Sequence, residues 1–221
     1  GEQRVLLCGM VGSRQGWVEA PYLPCPAGAA DIARATVSVP FDGATVRLVP
    51  GLTARDAAGV PEVMRGEETK IIGLLPELGL GEATVCLPGT HPKWISVSAG
   101  RIATFATAMT GEVFSALTKH TILGRMMALD APHHPASFAR GLARAKQKGG
   151  LLHHLFGTRA LALMDELGEA EGASYLSGLL IGHEVAAALE AGVAPPIHLT
   201  GSAALEPRYA EALAAFGIPF R

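Results

Sequence analysis

Thr84-Val85-Cys86-Leu87-Pro88-Gly89-Thr90-His91-Pro92-Lys93-Trp94-Ile95-Ser96-Val97 joins two short β-prone runs through a loop carrying a glycine, a hydroxyl, a histidine and a lysine. Apolar and β-branched residues on either side of Pro-Gly are the pattern of a hairpin, here expected over residues 84–87 and 95–98. A loop of this make-up can close backbone N–H groups and a cation around an oxyanion. The same Pro-Gly serves equally as a plain turn.

Composition narrows the classes around that loop. The chain has 221 residues, 49% hydrophobic and 17% charged, enough for one large domain or two small ones and too apolar for disorder. A formal net charge of −2 without a long basic run gives no footprint for nucleic acid or an anionic membrane surface. The longest apolar stretch, residues 177–189, is interrupted by His183 and Glu184, so no membrane-spanning helix is expected. Cys8, Cys25 and Cys86 lack CxxC spacing and even pairing, which reads as reduced, structural thiols of a cytoplasmic protein. His133-His134 and His153-His154 match no zinc pattern and are expected as solvated or capping residues, with no metal site.

Outward from the loop, the order of elements is α/β. Residues 4–9 read as a buried strand, 9–16 as a Gly/Ser loop, and 46–49 as a second strand ending at Pro50-Gly51. Ile71, Ile72, Leu74, Leu75 and Leu78 recur at helical spacing behind an acidic first turn, so a helix is expected over residues 67–78, ended by Gly79 and Gly81. A new unit starts near residues 80–82, dividing the chain into 1–81 and 82–221. It holds the hairpin, a strand at 101–106, and a helix opened by Thr110-Gly111-Glu112 and running through 117. Residues 124–190 are helical, with a polar link at 140–150 and an Ala/Leu-rich packing helix at 173–191. A strand at 196–200, a loop at Gly201-Ser202 and a helix at 205–216 follow. Residues 217–221 read as the start of a further strand, and Gly1-Glu2-Gln3 runs almost directly into strand sequence. The expectation is a piece of a longer protein.

Four segments can carry chemistry. Gly9-Met10-Val11-Gly12-Ser13-Arg14-Gln15-Gly16-Trp17 offers close backbone approach, donors and a flat aromatic face suited to a sugar acid, or is an ordinary strand-to-loop connection. In Val63-Met64-Arg65-Gly66-Glu67-Glu68-Thr69, an arginine can fork onto a carboxylate and a glutamate can take a hydroxyl proton, although an acidic helix start explains both glutamates alone. The third is the hairpin loop with Thr110-Gly111-Glu112. The fourth is Leu199-Thr200-Gly201-Ser202-Ala203, a strand-to-helix junction where a base or ribose could lie against backbone. GxGxxG, GxxxxGK[ST] and GxSxG are all absent, so neither a dinucleotide fold nor a P-loop is supported, and an unrelated α/β hydrolase is disfavoured.

Taken together these segments resemble the 2-dehydro-3-deoxygalactonokinase family. The resemblance is carried by Gly9-Met10-Val11-Gly12-Ser13 with Gly16-Trp17, Ala20-Pro21-Tyr22-Leu23 and Val49-Pro50-Gly51-Leu52. It continues through Val63 to Thr69, Leu87-Pro88-Gly89-Thr90-His91 with Lys93-Trp94, and Met109-Thr110-Gly111-Glu112. Leu176-Ser177-Gly178-Leu179-Leu180-Ile181-Gly182 with Glu184-Val185, and Thr200-Gly201-Ser202, complete it in family order. It implies a two-lobed actin-like ATPase (ribonuclease H-like) fold with an incomplete first lobe. Residues 1–81 would be the remainder of that lobe, on the sugar-acid side, and 82–221 the nucleotide lobe. It further implies ATP and Mg²⁺ as cofactors, a cleft between the lobes, and ATP-dependent phosphorylation of 2-dehydro-3-deoxy-D-galactonate at its terminal hydroxyl in D-galactonate catabolism.

In that scheme Gly89, Thr90 and His91 face the ATP phosphates with Lys93 as countercharge, joined by Thr110 and Gly111, and Gly201 and Ser202 lie on the adenosine side. Gly12, Ser13, Gly16, Trp17 and Arg65 line the sugar-acid side, and Glu67 or Glu68 is the base. The partners implied are the sugar acid, ATP and a second copy in a homodimer, in the cytoplasm. The family's first Asp-x-Gly-Ser/Thr loop has no counterpart here, so a non-catalytic sugar-acid or nucleotide binding fragment is the alternative expectation.

Overall fold

The computed structural model describes residues 4–79 and 81–221. Among these the chain is mixed α/β. Its elements are β1 (Arg4–Leu7), β2 (Leu23–Pro24), α1 (Ala29–Arg34), β3 (Val37–Val39), β4 (Thr45–Leu48), β5 (Leu52–Arg55), β6 (Pro61–Met64), α2 (Glu67–Leu78), β7 (Ala83–Leu87), β8 (Lys93–Ser98) and β9 (Arg101–Thr107). These are followed by α3 (Thr110–His120), α4 (Pro135–Ala145), α5 (Gly150–Leu163), α6 (Glu169–Glu190), β10 (Ile197–Leu199) and α7 (Glu206–Ala215). The strands form three sheets, ordered β1-β4-β3, β2-β5-β6 and β10-β7-β8-β9. The chain divides into two compact units: residues 1–85 with 94–107, and 86–93 with 108–221. The single division expected near residues 80–82 includes Leu80, which lies outside the described residues, as does the expected reading of Gly1 to Gln3.

In the first unit β1 runs parallel to β4, with Arg4 opposite Thr45 and Leu7 opposite Leu48, while β3 pairs antiparallel to β4. Val5 and Leu7 pack against Ala20, Val39, Val46 and Leu48. The expectation of a buried strand at 4–9 is corrected here. β1 stops at Leu7 and lies at a sheet edge with one face covered, leaving Leu6 64% exposed. The helix expected over 67–78 is present with those bounds, closed by Gly79 at φ 74°, a left-handed conformation suited to glycine. α1, β2, β3, β5 and β6 were not expected at all, because strands of two to four residues and a helix of six are too short to show a period.

In the second unit α6 packs along α4 at unusually short range. A Cβ on Gly141 would lie 2.7 Å from the Leu179 nitrogen, one on Gly182 2.6 Å from Ala145 Cβ, and one on Gly178 would run into the Phe138 carbonyl. Glycines at these points let two backbones approach where any side chain would hold them apart. The polar link expected over 140–150 is corrected: residues 140–145 are the last turns of α4. Arg140 and Arg144 sit on its outer face while Phe138, Leu142 and Ala145 are buried. β10 and the end of β7 are tied by the Thr200 N–H donating to the Cys86 carbonyl at 3.1 Å. No helix among the described residues is long and apolar enough to cross a membrane.

The histidine expectation holds for His134, whose Nδ1 caps α4 by accepting from the Ser137 N–H at 3.2 Å. It fails for His154, which is fully buried, 2.9 Å from His183 Nε2 and 3.1 Å from the Lys148 carbonyl. Burial, and then the neighbouring His154, hold His183 below the usual histidine range. The unfolded chain therefore takes up that proton first, and stability is lost as pH falls below about 6.5. Denaturant titrations at about pH 8 and about pH 5.5 are expected to show a smaller acid-side loss in His183→Gln than in the wild type.

Candidate active site

The first unit gathers two of the glycine-bearing segments. The chain turns at Met10–Gly12 after β1, and the Ala20 N–H returns to the Gly12 carbonyl at 2.9 Å. Gly16 has no room for a side chain, since a Cβ there would meet the backbone of Met10 and Val11. Arg65, at the end of β6, crosses to this loop. Its Nη2 donates to the Ala20 carbonyl at 2.7 Å, and its guanidinium lies 4.4 Å from the centre of the Tyr22 ring. A Cβ on Gly12 would stand 3.2 Å from Arg65 Nη1, and one on Gly66 would stand 3.2 Å from Gly9 Cα. Arg65 Nε and Nη1 are buried without a hydrogen-bond partner. Unsatisfied guanidinium donors are costly, and an oxygen-rich anion is the ligand that would satisfy them. Ser13 and Trp17 lie on the same loop, Trp17 half exposed with its ring edge-on to Phe41 at 6.0 Å.

The two glutamates differ sharply. Glu68 is fully buried, accepting from the Gly66 N–H at 2.6 Å and from Thr69 Oγ1 at 3.0 Å. Desolvation pushes its carboxyl above the ordinary range. Both its oxygens serve the first turn of α2 as a local cap. Glu67 is half-buried and accepts from the Arg65 N–H at 3.0 Å.

The second unit gathers the other glycine segments. The loop between β7 and β8 lies on the N-terminus of α3. A Cβ on Gly111 would sit 2.7 Å from both the Gly89 carbonyl oxygen and Thr90 Cα. The Glu112 N–H donates to the Thr90 carbonyl at 3.2 Å and the Ala108 N–H to the Pro92 carbonyl at 3.0 Å. Gly201, at φ 151°, approaches the same loop, where a Cβ would be 3.1 Å from the Pro88 carbonyl. Ser202 caps α7 through its carbonyl, which accepts from the Glu206 N–H at 2.9 Å, and Gly201 N–H donates to Glu206 Oε1 at 2.6 Å. His91 Nε2 and Glu112 Oε2 are 2.5 Å apart at the exposed rim.

Behind the loop, Tyr209 OH donates to Glu184 at 2.7 Å in a buried pair, and burial holds the Cys86 thiol well above its ordinary range. Cys86 is thus the inert, structural thiol expected.

The model of the 2-keto-3-deoxy-galactonokinase family matches residues 1–221. The chain belongs to this family. It is 39% identical over 222 residues to a Rhizobium meliloti (strain 1021) protein assigned as 2-dehydro-3-deoxygalactonokinase DgoK1, covering 98% of this chain and 72% of the relative. It is 36% identical over 218 residues to the 2-dehydro-3-deoxygalactonokinase of Escherichia coli (strain K12), covering 96% of this chain and 71% of that protein. A crystal structure of a protein assigned as 2-dehydro-3-deoxygalactonokinase from Sinorhizobium meliloti matches at TM-score 0.93 and 38% identity, covering all of this chain and 74% of that one.

In this member of the kinase family, Gly12, Gly16, Arg65 and Glu67 come together in the first unit, and Gly89, Thr90, Gly111 and Gly201 in the second. Lys93, expected as a countercharge to the phosphates, has a structural role in the loop. It is 3% exposed and its ammonium donates to the His91 carbonyl at 2.9 Å, so it fixes the loop's backbone. Tyr22 and Glu112 were not singled out as site residues. Both stood inside quoted motifs, but their partners Arg65 and His91 lie 43 and 21 positions away in sequence, a pairing that spacing alone does not reveal.

Proposed function

We propose that this chain transfers the γ-phosphoryl group of ATP to the terminal hydroxyl of 2-dehydro-3-deoxy-D-galactonate, as a step of D-galactonate catabolism. The observation that carries the reading is the packing of the Gly89-Thr90 loop on the start of α3, so close at Gly111 that a side chain there would meet the loop backbone, which brings loop and helix N-terminus together as an anion site needs. The fold is taken as the two-lobed actin-like type. The first unit belongs to the sugar-acid side and the second to the nucleotide side. The enzyme works in the cytoplasm as a homodimer on small-molecule substrates.

On the sugar-acid side, Arg65 pairs with the substrate carboxylate, whose oxygens meet its unpartnered donors. Gly12, Ser13 and Gly16 supply close backbone and a hydroxyl, and Trp17 a flat wall. Glu67 takes the proton from the attacking hydroxyl. Its partial exposure favours this over Glu68, which is sealed in the helix cap. On the nucleotide side Gly89, Thr90, Thr110 and Gly111 hold the phosphates, His91 contacts them, and Gly201 and Ser202 approach the adenosine. A Mg²⁺ ion bound with the nucleotide would supply neutralisation of the phosphate charge. Among the described residues no group of three His, Cys, Asp or Glu could hold a metal unaided.

Glu112 orients His91 through their 2.5 Å contact, fixing which ring nitrogen faces the phosphates. Glu112→Gln is expected to raise the KM for ATP roughly tenfold while leaving the KM for the sugar acid unchanged. Steady-state kinetics with each substrate varied separately read this split. Equal changes in both KM values would remove Glu112 from the nucleotide side.

A further inference from the structure

α5 is apolar on its outer face as well as its inner one, where Leu151, Leu155 and Leu161 pack against the core. His154 and Thr158 are buried at 0% and 1% exposure, whereas Leu152, Phe156, Leu163 and Met164 are 85%, 63%, 50% and 68% exposed. At helical spacing Leu152, Phe156, Arg159 and Leu163 fall within a stripe about 60° wide.

We propose that this face of α5 is where two copies of the chain meet, α5 against α5, antiparallel, about a two-fold axis passing between Gly157 and Thr158. The stripe is complementary to itself in that register. Leu152 stands opposite Leu163 of the second copy, and Phe156 opposite its Arg159, so apolar meets apolar and a guanidinium lies on an aromatic ring. The stripe's one charge therefore never faces its own copy, which would repel. Ile122, 44% exposed and joined to Arg159 through its carbonyl at 3.3 Å, extends the patch. The exposed surface of Ile122, Leu152, Phe156, Leu163 and Met164 comes to roughly 600 Å², close to the ~800 Å² per partner of a stable interface once a polar rim is added. It stands at the upper end of the apolar patches that monomers leave open, and patches of that size are often functional.

Sedimentation velocity of the full chain at micromolar concentration is expected to give a dimer. Leu152→Glu and Phe156→Glu are each expected to give a monomer with unchanged circular dichroism. Leu152→Cys/Leu163→Cys, made together in a Cys8→Ser background, is expected to give a covalent dimer on mild oxidation, which tests the register without relying on a charged variant. A monomeric wild type overturns the proposal, as does a dimer that survives both glutamate variants or fails to cross-link in this register. A wild type that remains monomeric yet binds another protein through this face overturns it as well.

Discussion

Glu67→Gln is expected to lower kcat by about 10²–10⁴-fold, with the melting temperature and the KM for ATP little changed. Phosphoryl transfer leaves the protein little covalent work, so removing the hydroxyl proton is one of few steps a side chain can perform directly. Glutamine keeps the acceptor for the Arg65 N–H and the shape of the side chain, so α2 should start as before. Glu68→Gln separates the two roles. That residue is fully buried and engaged with Gly66 and Thr69, so its amide should keep turnover within a few-fold of the wild type. Turnover assays on both variants, with denaturation curves alongside, decide the assignment. Near-normal activity in Glu67→Gln would remove it as the base, and an equal loss in Glu68→Gln would move the role there.

Gly178→Ala is expected to destabilise the fold by about 3 kcal/mol or more, at or above the upper end of overpacking costs. The new methyl would run into the Phe138 carbonyl, and backbone cannot yield as a flexible side chain can. Relief requires α4 to move off α6, which also loosens the close approaches at Gly141 and Gly182. Gly73→Ala in α2 is the matched control. Its added Cβ meets nothing within 4 Å, so it should gain up to about 1 kcal/mol from helix propensity. Urea titrations of the two variants give opposite signs if the α4–α6 glycines are close-approach points. A Gly178→Ala protein as stable as wild type would contradict this.

Much of the fold was legible because long periodic segments announce themselves. Ile71, Ile72, Leu75 and Leu78 with Gly79 give α2 its bounds, and the Ala/Leu/Gly run of α6 reads as a buried helix. β5 and β6 were illegible because four residues fit strand or loop equally, and pairing with distant partners decides them. His154 misled because local sequence cannot say that His183, 29 positions on, will supply a buried partner. For the site, the glycines marked loops that the fold packs closely, Gly12 beside Arg65 and Gly111 beside Gly89 and Thr90. The distinction between Glu67 and Glu68 was invisible, since it depends on which carboxylate the first turn of α2 buries. The Lys93 contact was invisible for the same reason: a loop lysine is ordinarily solvated, and only the fold turns this ammonium onto the His91 carbonyl.

The central claim is ATP-dependent phosphorylation of 2-dehydro-3-deoxy-D-galactonate, and a turnover assay with product identification tests it most directly. The expected result is one ADP released per sugar acid phosphorylated at its terminal hydroxyl, with far slower ATP hydrolysis when the sugar acid is left out. Calorimetry showing that both ligands bind, together with no ADP formation above background when they are combined, would contradict it.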